Sequence, residues 1–522
     1  MDSSSQIPPR DKRWVATQPM TRRRAHRAAL GAAAVIGWLS TGRAFAQGSP
    51  QEVVVDLGDG TAQSYLEYAD GRRVPVGCRW SIETGQCIGP GATEEIPAPA
   101  QPRRTVSSPS LEFWGPDPGT FAPMATVVQM FKAKYPNVDV KVGGGSLNIS
   151  AATQEKFLVA IIAGNPPDVS YIDRYIPRSY AALGAIVPLD EMIRGSTVKP
   201  EEWWPYLRTD VTHQDRVYGI PMHTDARLFS WNKEHFRELG VNPDRPPANW
   251  DELASISARL VKRDGGGKLT RAGFMPWGGG FGTHGLPFFV HLWQGGGEAL
   301  DATERRPRFQ EPPGVRALDW MMSVARQIGG APGYAELVND LPTGPGLDAF
   351  SVGRLSMQIH GVTIWRDYVN NVRILNFGLS EVPMPTGGQA ASYTGGFALC
   401  MAKNSPHADA GFAFMEHWLT DETQFAWADQ IQAVPSVRRV AESEEWIKAD
   451  KVPQFRLREV QNAAVRSAKW VPTRPGSSEL VDLWIADLIT ASQLKLSAQD
   501  VLGEMARKSQ VILDKWISKY GS

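Results

Sequence analysis

The chain has 522 residues, more than the ~100–200 usual for one domain, and it is 42% hydrophobic and 21% charged, the balance of a globular protein with a full core. Lys plus Arg and Asp plus Glu number 55 each, so the formal charge is zero and neither nucleic acid nor an anionic membrane surface is expected as a partner. The nine His show no H-x-x-x-H or H-E-x-x-H spacing and no G-x-S-x-G elbow occurs, so no metal, no cofactor and no serine nucleophile is expected.

The amino terminus carries "TRRRAHRAALGAAAVIGWLSTGRAFAQ", with a basic run, an apolar stretch from Ala28 to Leu39, and Ala44-Phe45-Ala46 before Gln47. That is the layout of a secretory signal peptide with an A-x-A cleavage site, placed at residues 1–46. The apolar stretch, about 12 residues, is too short to span a bilayer as a helix. Arg22-Arg23-Arg24 suggests twin-arginine export, but Ala25 and His26 stand where that route favours bulky apolar residues, so the Sec route stays open. Met20 is an alternative start to Met1. The mature protein is expected to be soluble and periplasmic.

Residues 47–107 form a separate zone. "EVVVDLGDGT" and "SYLEYADGRRVPVG" alternate apolar and polar residues around Gly-containing turns, the pattern of a small β-meander. Cys78 and Cys87 flank "RWSIETGQ", a spacing that fits a disulfide-closed hairpin in an oxidising compartment. A Pro-rich linker follows. The third cysteine, Cys400, sits in the apolar run "GGFALCMA" and reads as a free, buried small hydrophobe.

From Leu111 the pattern changes. "LEFWG", "VDVKVGG" and "DVSYID" read as strands, and "TFAPMATVVQMFKAKYP", "SAATQEKFLVAIIAGNPP" and "PRSYAALGAIVPLDEMI" as the helices after them. Strands alternating with amphipathic helices imply βαβ units, an α/β fold and a mainly parallel sheet. Helices return near Asn249–Lys262 and dominate from Val315, from His407 and from Ser477. Ligands of open α/β sheets sit outside the carboxyl ends of the strands. Trp114 and Asp173 end the first and third of these strands, so both are candidate ligand residues, with Arg174 beside Asp173. The 18 Trp, against 12 Tyr and 19 Phe, suit an indole-lined cleft, since sugar C–H faces pack on aromatic rings. Trp293, Trp418, Trp427 and Trp484 fall in helical stretches and read as core.

Five phrases in order resemble the family 1 extracellular solute-binding proteins, the sugar-type receptors of ABC importers. They are "LEFWGPDPGTFAPMATVVQMFKAKYP", "FLVAIIAGNPPDVSYID", "YGIPMHTDARLFSWNKEHFRELGV" with "PPANWDEL", "AFSVGRLSMQIHG", and "SYTGGFALCMAKNSPHADAGFAFMEHWLTDETQ". The resemblance covers roughly 108–520 and leaves 47–107 aside. It implies the two-lobed α/β fold of periplasmic binding proteins, closing about a hinge. The lobes are expected at 108–222 with 346–402, and at 223–345 with 403–522. It also implies a monomer that holds a small carbohydrate between its lobes and delivers it to inner-membrane ABC permease subunits, without being an enzyme. Asp225, just after the hinge phrase, gains from the resemblance as a cleft residue. Trp277 in "MPWGGGFGTHG", Trp365, and the Gly395-Gly396 pair are further candidates, glycine letting a ligand approach the backbone. Two other readings stay open: a secreted carbohydrate-active enzyme, since any two acids could form a glycosidase pair, and a periplasmic sensor subunit.

Overall fold

The computed structural model describes residues 106–521, apart from 146–150, 279–285, 343, 345, 362–363, 366, 369–375 and 471–472. It also describes the backbone alone of residues 144–145 and 151–155 and of the strands at 51–56, 61–67, 73–81 and 87–89. The signal-peptide reading of 1–46 falls outside these residues. The four early strands form one antiparallel sheet in sequence order, which is the expected meander. Trp80 stands opposite Cys87 in it. The Cys78–Cys87 pairing concerns side chains outside those described. Cys400 is free and buried, as expected.

Two five-stranded sheets organise the rest. The first has the order Ile220–Pro221, Phe397–Met401, Val169–Asp173, Ser110–Pro116, Asp139–Gly145. Its three early strands are parallel, as the alternating helices require, and the two later ones enter antiparallel. The second has the order Lys262–Arg263, Leu269–Phe274, Leu355–His360, Leu228–Asn232, Phe377–Ser380. These sheets are the hearts of two α/β lobes.

Local chemistry sets the helix ends. Ala122–Lys134 begins with Pro in its first turn and carries Lys132 and Lys134 in its last, where cations suit the helix dipole. Gly164, at φ +75°, ends the helix that runs into "AGNPPD". Asn249 caps Trp250–Leu260 by accepting from the Glu252 N–H, and Ser497 caps Ala498–Tyr520 through the Asp500 N–H. Asp168, fully buried, accepts from the Glu112 N–H at 2.8 Å, the His407 N–H at 2.9 Å and the Ser405 hydroxyl at 2.7 Å. It thereby ties two strands of the first sheet to the start of helix Ala408–Trp418.

The lobe boundaries differ from those expected. Strands Leu355–His360 and Phe377–Ser380, assigned to the first lobe from the sequence, belong to the second sheet. Helices Ala408–Trp418 and Asp421–Ile431, assigned to the second lobe, pack on the first through strand Ser110–Pro116 and helix Ala122–Lys134. The chain returns to the first lobe at the Gly395-Gly396 turn and stays against it beyond Val437, which bridges to Trp203, since Arg439 pairs with Glu202 at 2.8 Å. A fully buried strand such as Leu355–His360 shows no alternation that would say which sheet it joins.

The segments that cross between lobes are stitched by Arg174, whose guanidinium is fully buried. Nε donates to Asp210 Oδ2 at 2.9 Å, Nη1 to the carbonyls of His223 at 3.1 Å and Gly395 at 2.6 Å, and Nη2 to Thr394 Oγ1 at 3.2 Å. Thr224 Oγ1 lies 2.8 Å from Thr394 Oγ1 and 2.9 Å from the Tyr206 hydroxyl. Burial pushes the Asp210 carboxyl up and Arg174 pulls it back. Removing one member of a buried pair strands the other, so Arg174→Met is expected to cost about 3–5 kcal/mol in urea unfolding, and adding Asp210→Asn to recover part of it. A loss below about 1 kcal/mol, the scale of an exposed pair, would show that the pair does not hold the crossing.

Candidate functional site

The strand tip Asp173 and the crossing segments meet in one place. Asp173 pairs with Phe397 across the first sheet, and the next N–H, that of Arg174, donates to the Gly396 carbonyl at 3.1 Å. Asp225 follows the first crossing strand, His223–Thr224, and accepts a hydrogen bond from the Gly395 N–H of the second crossing. Arg227 is fixed by its backbone: its N–H donates to Ser392 Oγ at 2.9 Å, and its carbonyl accepts from that hydroxyl at 3.0 Å. Its guanidinium lies 3.0 Å from Asp225 and 4.5 Å over the Tyr393 ring. Strand Ser392–Tyr393 pairs in parallel with Ala468–Lys469 from the carboxyl-terminal segment, which delivers Trp470. The Trp470 ring lies 4.6 Å from that of Tyr393 and stacks at 5.8 Å on that of Tyr175.

Two polar groups on this floor lack protein partners: Asp173 Oδ1 and Trp470 Nε1 are buried and make no hydrogen bond, while Arg227 Nη1 has only its ion pair to Asp225 at 3.0 Å. Burial raises the Asp173 carboxyl to about 7, against the pull of Arg174 and the N–H groups of Tyr175 and Arg174, while Asp225 pushes it up further. Burial likewise drives the Tyr393 hydroxyl well above its ordinary range, with Arg227 opposing and Asp173, Asp225 and Tyr175 adding to the rise. His223, its ring nitrogen accepting from Trp427 Nε1 at 3.1 Å, is pushed by burial down to about 4 and is neutral at pH 7. The floor thus offers an acceptor, a donor and aromatic faces.

The expected residues divide. Asp173 and Asp225 come together here. Trp114 does not end its strand, which runs on to Pro116; it is partly buried, with its indole N–H donating to Glu112 Oε1 at 2.9 Å. Four candidates are corrected. Arg174 is fully spent on protein acceptors, as above. Trp277 is 5% exposed and donates to the Leu488 carbonyl at 2.8 Å, so it is core of the second lobe. Trp365 is buried against Tyr368 and Phe377. Gly396 is required by packing and not by an approaching ligand: at φ +120° a Cβ would lie 2.6 Å from Arg174 Nη1 and 2.8 Å from the His223 carbonyl oxygen. Gly395 stands on the floor, its N–H and carbonyl already committed to Asp225 and Arg174. Trp293, Trp418, Trp427 and Trp484 are all core, as expected.

Sequence reading missed Tyr175, Arg227, Tyr393 and Trp470. Arg227 stands two residues beyond Asp225, a spacing that keeps a side chain on the same face of an extended segment, and Tyr175 lies in the turn directly after Asp173. Trp470 arrives from a remote segment and had no local signal. A second concavity, of about 510 Å³, belongs wholly to the second lobe and is lined by the stacked Trp250 and Trp320, with Arg316, Gln294 and Gly387. Among the described residues no group of three His, Cys, Asp or Glu could hold a metal, and no helix is long and apolar enough to cross a membrane.

Comparison with known proteins places this geometry. Residues 118–425 match the family model described as bacterial extracellular solute-binding protein. A binding protein of Brucella abortus (strain 2308) is 22% identical over 380 residues, covering 69% of this chain and 83% of that protein. The sn-glycerol-3-phosphate-binding periplasmic protein of Rhizobium meliloti (strain 1021) is 27% identical over 143 residues, 27% of this chain and 30% of that one. An ABC transporter solute-binding protein from Thermotoga lettingae, solved with α-D-tagatose, superposes with a TM-score of 0.64 at 22% identity, covering 78% of this chain and all of that one. A Mycobacterium tuberculosis protein solved with glycerophosphocholine gives 0.64 at 19% identity, covering 79% of this chain and all of that one.

The elevated Asp173 carboxyl fixes a pH signature. Its folded pKa of about 7 exceeds the unfolded ~3.9, so the folded state binds the extra proton and its stability falls as pH rises between the two. Asp173→Asn mimics the protonated form. Its melting temperature should match wild type near pH 4, exceed it increasingly up to pH 7, and hold a constant advantage above. A pH-independent difference in a thermal melt series would contradict this.

Proposed function

We propose, for a chain that belongs to the bacterial extracellular solute-binding proteins, that the solute is a sugar or polyol held on the Asp173–Asp225–Arg227 floor and passed to the inner-membrane permease of an ABC importer. The observation that carries the reading is the pair of unpartnered buried atoms, Asp173 Oδ1 and Trp470 Nε1, beside the Tyr175, Tyr393 and Trp470 rings. Buried polar atoms are ordinarily satisfied. An acceptor and a donor next to aromatic faces match the hydroxyls and C–H face of a sugar ring. The site lies where the chain crosses between lobes, so a solute there would touch both lobes and favour their closure.

A glycosidase would need one protonated acid and one free carboxylate. Asp173 suits the first role, but Asp225 already accepts from the Gly395 N–H and pairs with Arg227. The protein is therefore read as a binder without turnover, exported to the periplasm by its leader and acting as a monomer. A sensor subunit would share the site and differ only in its membrane partner.

Calorimetric titration against a panel of monosaccharides, disaccharides and polyols, with product analysis of every hit, tests this reading. Binding without product is expected, and hydrolysis of a bound glycoside would overturn it. On a sugar that binds, Trp470→Ala is expected to weaken affinity by roughly 1–3 kcal/mol with the same sugar preferred, because apolar contact is non-directional. Asp173→Ala, which removes a directional acceptor, is expected to cost roughly 1.5–3 kcal/mol and to reorder preference among epimers. If Asp173→Ala bound normally but melted much lower, Asp173 would be a structural residue only.

A further inference from the structure

We infer that the solute carries a protonated amine and is an amino sugar rather than its neutral parent, seated with its ammonium against Asp173. The inference rests on the sugar-binding reading above and goes on to the charge of the ligand. The charges at the junction do not balance. Arg174 and Asp210 form a closed pair. Arg227 lies against Asp225, which also takes the Gly395 N–H. His223 is neutral at pH 7. Among the described floor residues that leaves two carboxylates, Asp173 and Asp225, facing the one guanidinium of Arg227.

The surplus falls on Asp173. The groups that act on it are Arg174, which is committed elsewhere, Asp225 on the first crossing segment, Tyr171 on its own strand and Tyr393 on the second crossing segment. Of these only Arg174 is cationic. Oδ1 receives no hydrogen bond. A buried carboxylate in this position is costly unless it is neutralised. A proton can do that in the empty protein. A ligand hydroxyl would give Oδ1 a hydrogen bond but leave the charge; an ammonium gives both, and an N–H donor to a carboxylate makes the stronger bond.

The surrounding rings agree. Tyr175 and Trp470 stack at 5.8 Å and Tyr393 stands 4.6 Å from Trp470, so π-faces border the carboxylates, where a cation is attracted. Arg227 already uses one face of Tyr393 in this way at 4.5 Å. The unpartnered donor Trp470 Nε1 calls for an acceptor oxygen on the same ligand, which a simple alkylamine lacks and a sugar ring supplies.

The test is calorimetry near pH 6.5 with glucose, galactose and mannose, each as the neutral sugar, the 2-amino sugar and the N-acetyl derivative, in two buffers of different ionisation heat. At least one amino sugar is expected to bind ten-fold or more tighter than its neutral parent and its N-acetyl form, with proton release from Asp173. Asp173→Asn should reduce that preference to within about two-fold. Neutral sugars binding as tightly as their amino forms, or tighter, would overturn the inference and leave the carbohydrate reading intact. Failure of all nine compounds to bind the folded protein would overturn both. The wild-type comparison stands alone, so instability of the variant would not rescue the inference.

Discussion

One buried guanidinium holds this architecture at its waist. Arg174 follows directly on the strand tip Asp173 and reaches Asp210 and both crossing segments, through the His223 and Gly395 carbonyls and the Thr394 hydroxyl. A planar fork with five fixed donors can make this set of contacts where a lysine cannot. Gly396 follows from it, since any Cβ there would collide with the guanidinium. The position of Asp225 follows too, since the turn that Arg174 grips also presents the Gly395 N–H to that carboxylate. The crossing segments and the proposed floor are therefore one structure, so a group bound at Asp173 and Asp225 would act directly on the segments that join the lobes.

The floor stores an electrostatic imbalance that most of the fold avoids. Other buried charges are closed: Asp168 collects three donors from two segments, Asp210 has Arg174, and Asp429 has Arg458 and Lys451. At the floor Asp173 is raised toward neutrality and keeps a bare oxygen. Structures tolerate such a group where something outside the chain completes it, which is why perturbed carboxylates mark functional sites. Rigid support makes the imbalance usable. Strand pairing, the Ser392 hydroxyl and the Tyr393 ring fix Arg227 and Asp225 before any solute arrives, so little ordering cost falls on binding.

Much of this was legible in the sequence. The alternation from Leu111 to Ile193 fixes the parallel core of the first lobe, and Gly164 and Asp173 do in the structure what "AGNPPDVSYID" suggests for them: one ends a helix in the left-handed region, the other closes a strand. The order of phrases carried the two-lobed fold. The lobe boundaries were not legible, because strand Leu355–His360 is buried on both faces and helix Ala408–Trp418 is buried along its length, so neither shows which lobe covers it. Arg174 looked like a ligand residue because an arginine beside an acid at a strand tip is polar and near the edge; only the fold shows four protein acceptors converging on it. Trp277 and Trp365 misled in the same way, since an indole beside glycines reads alike whether it faces a cleft or a core. Trp470 joins the site through a two-residue strand pairing with Ser392–Tyr393, a contact between distant segments that no local pattern encodes.

The account depends most on where the solute sits. Hydrogen exchange measured by mass spectrometry, with and without a carbohydrate found to bind, answers that directly. Protection is predicted to be greatest in the segments 173–178, 223–228, 391–396 and 467–470, which converge from both lobes on one floor. Protection confined to 250–254, 294–296, 313–320 and 385–389, the walls of the second-lobe concavity, with the crossing segments unchanged, would contradict it.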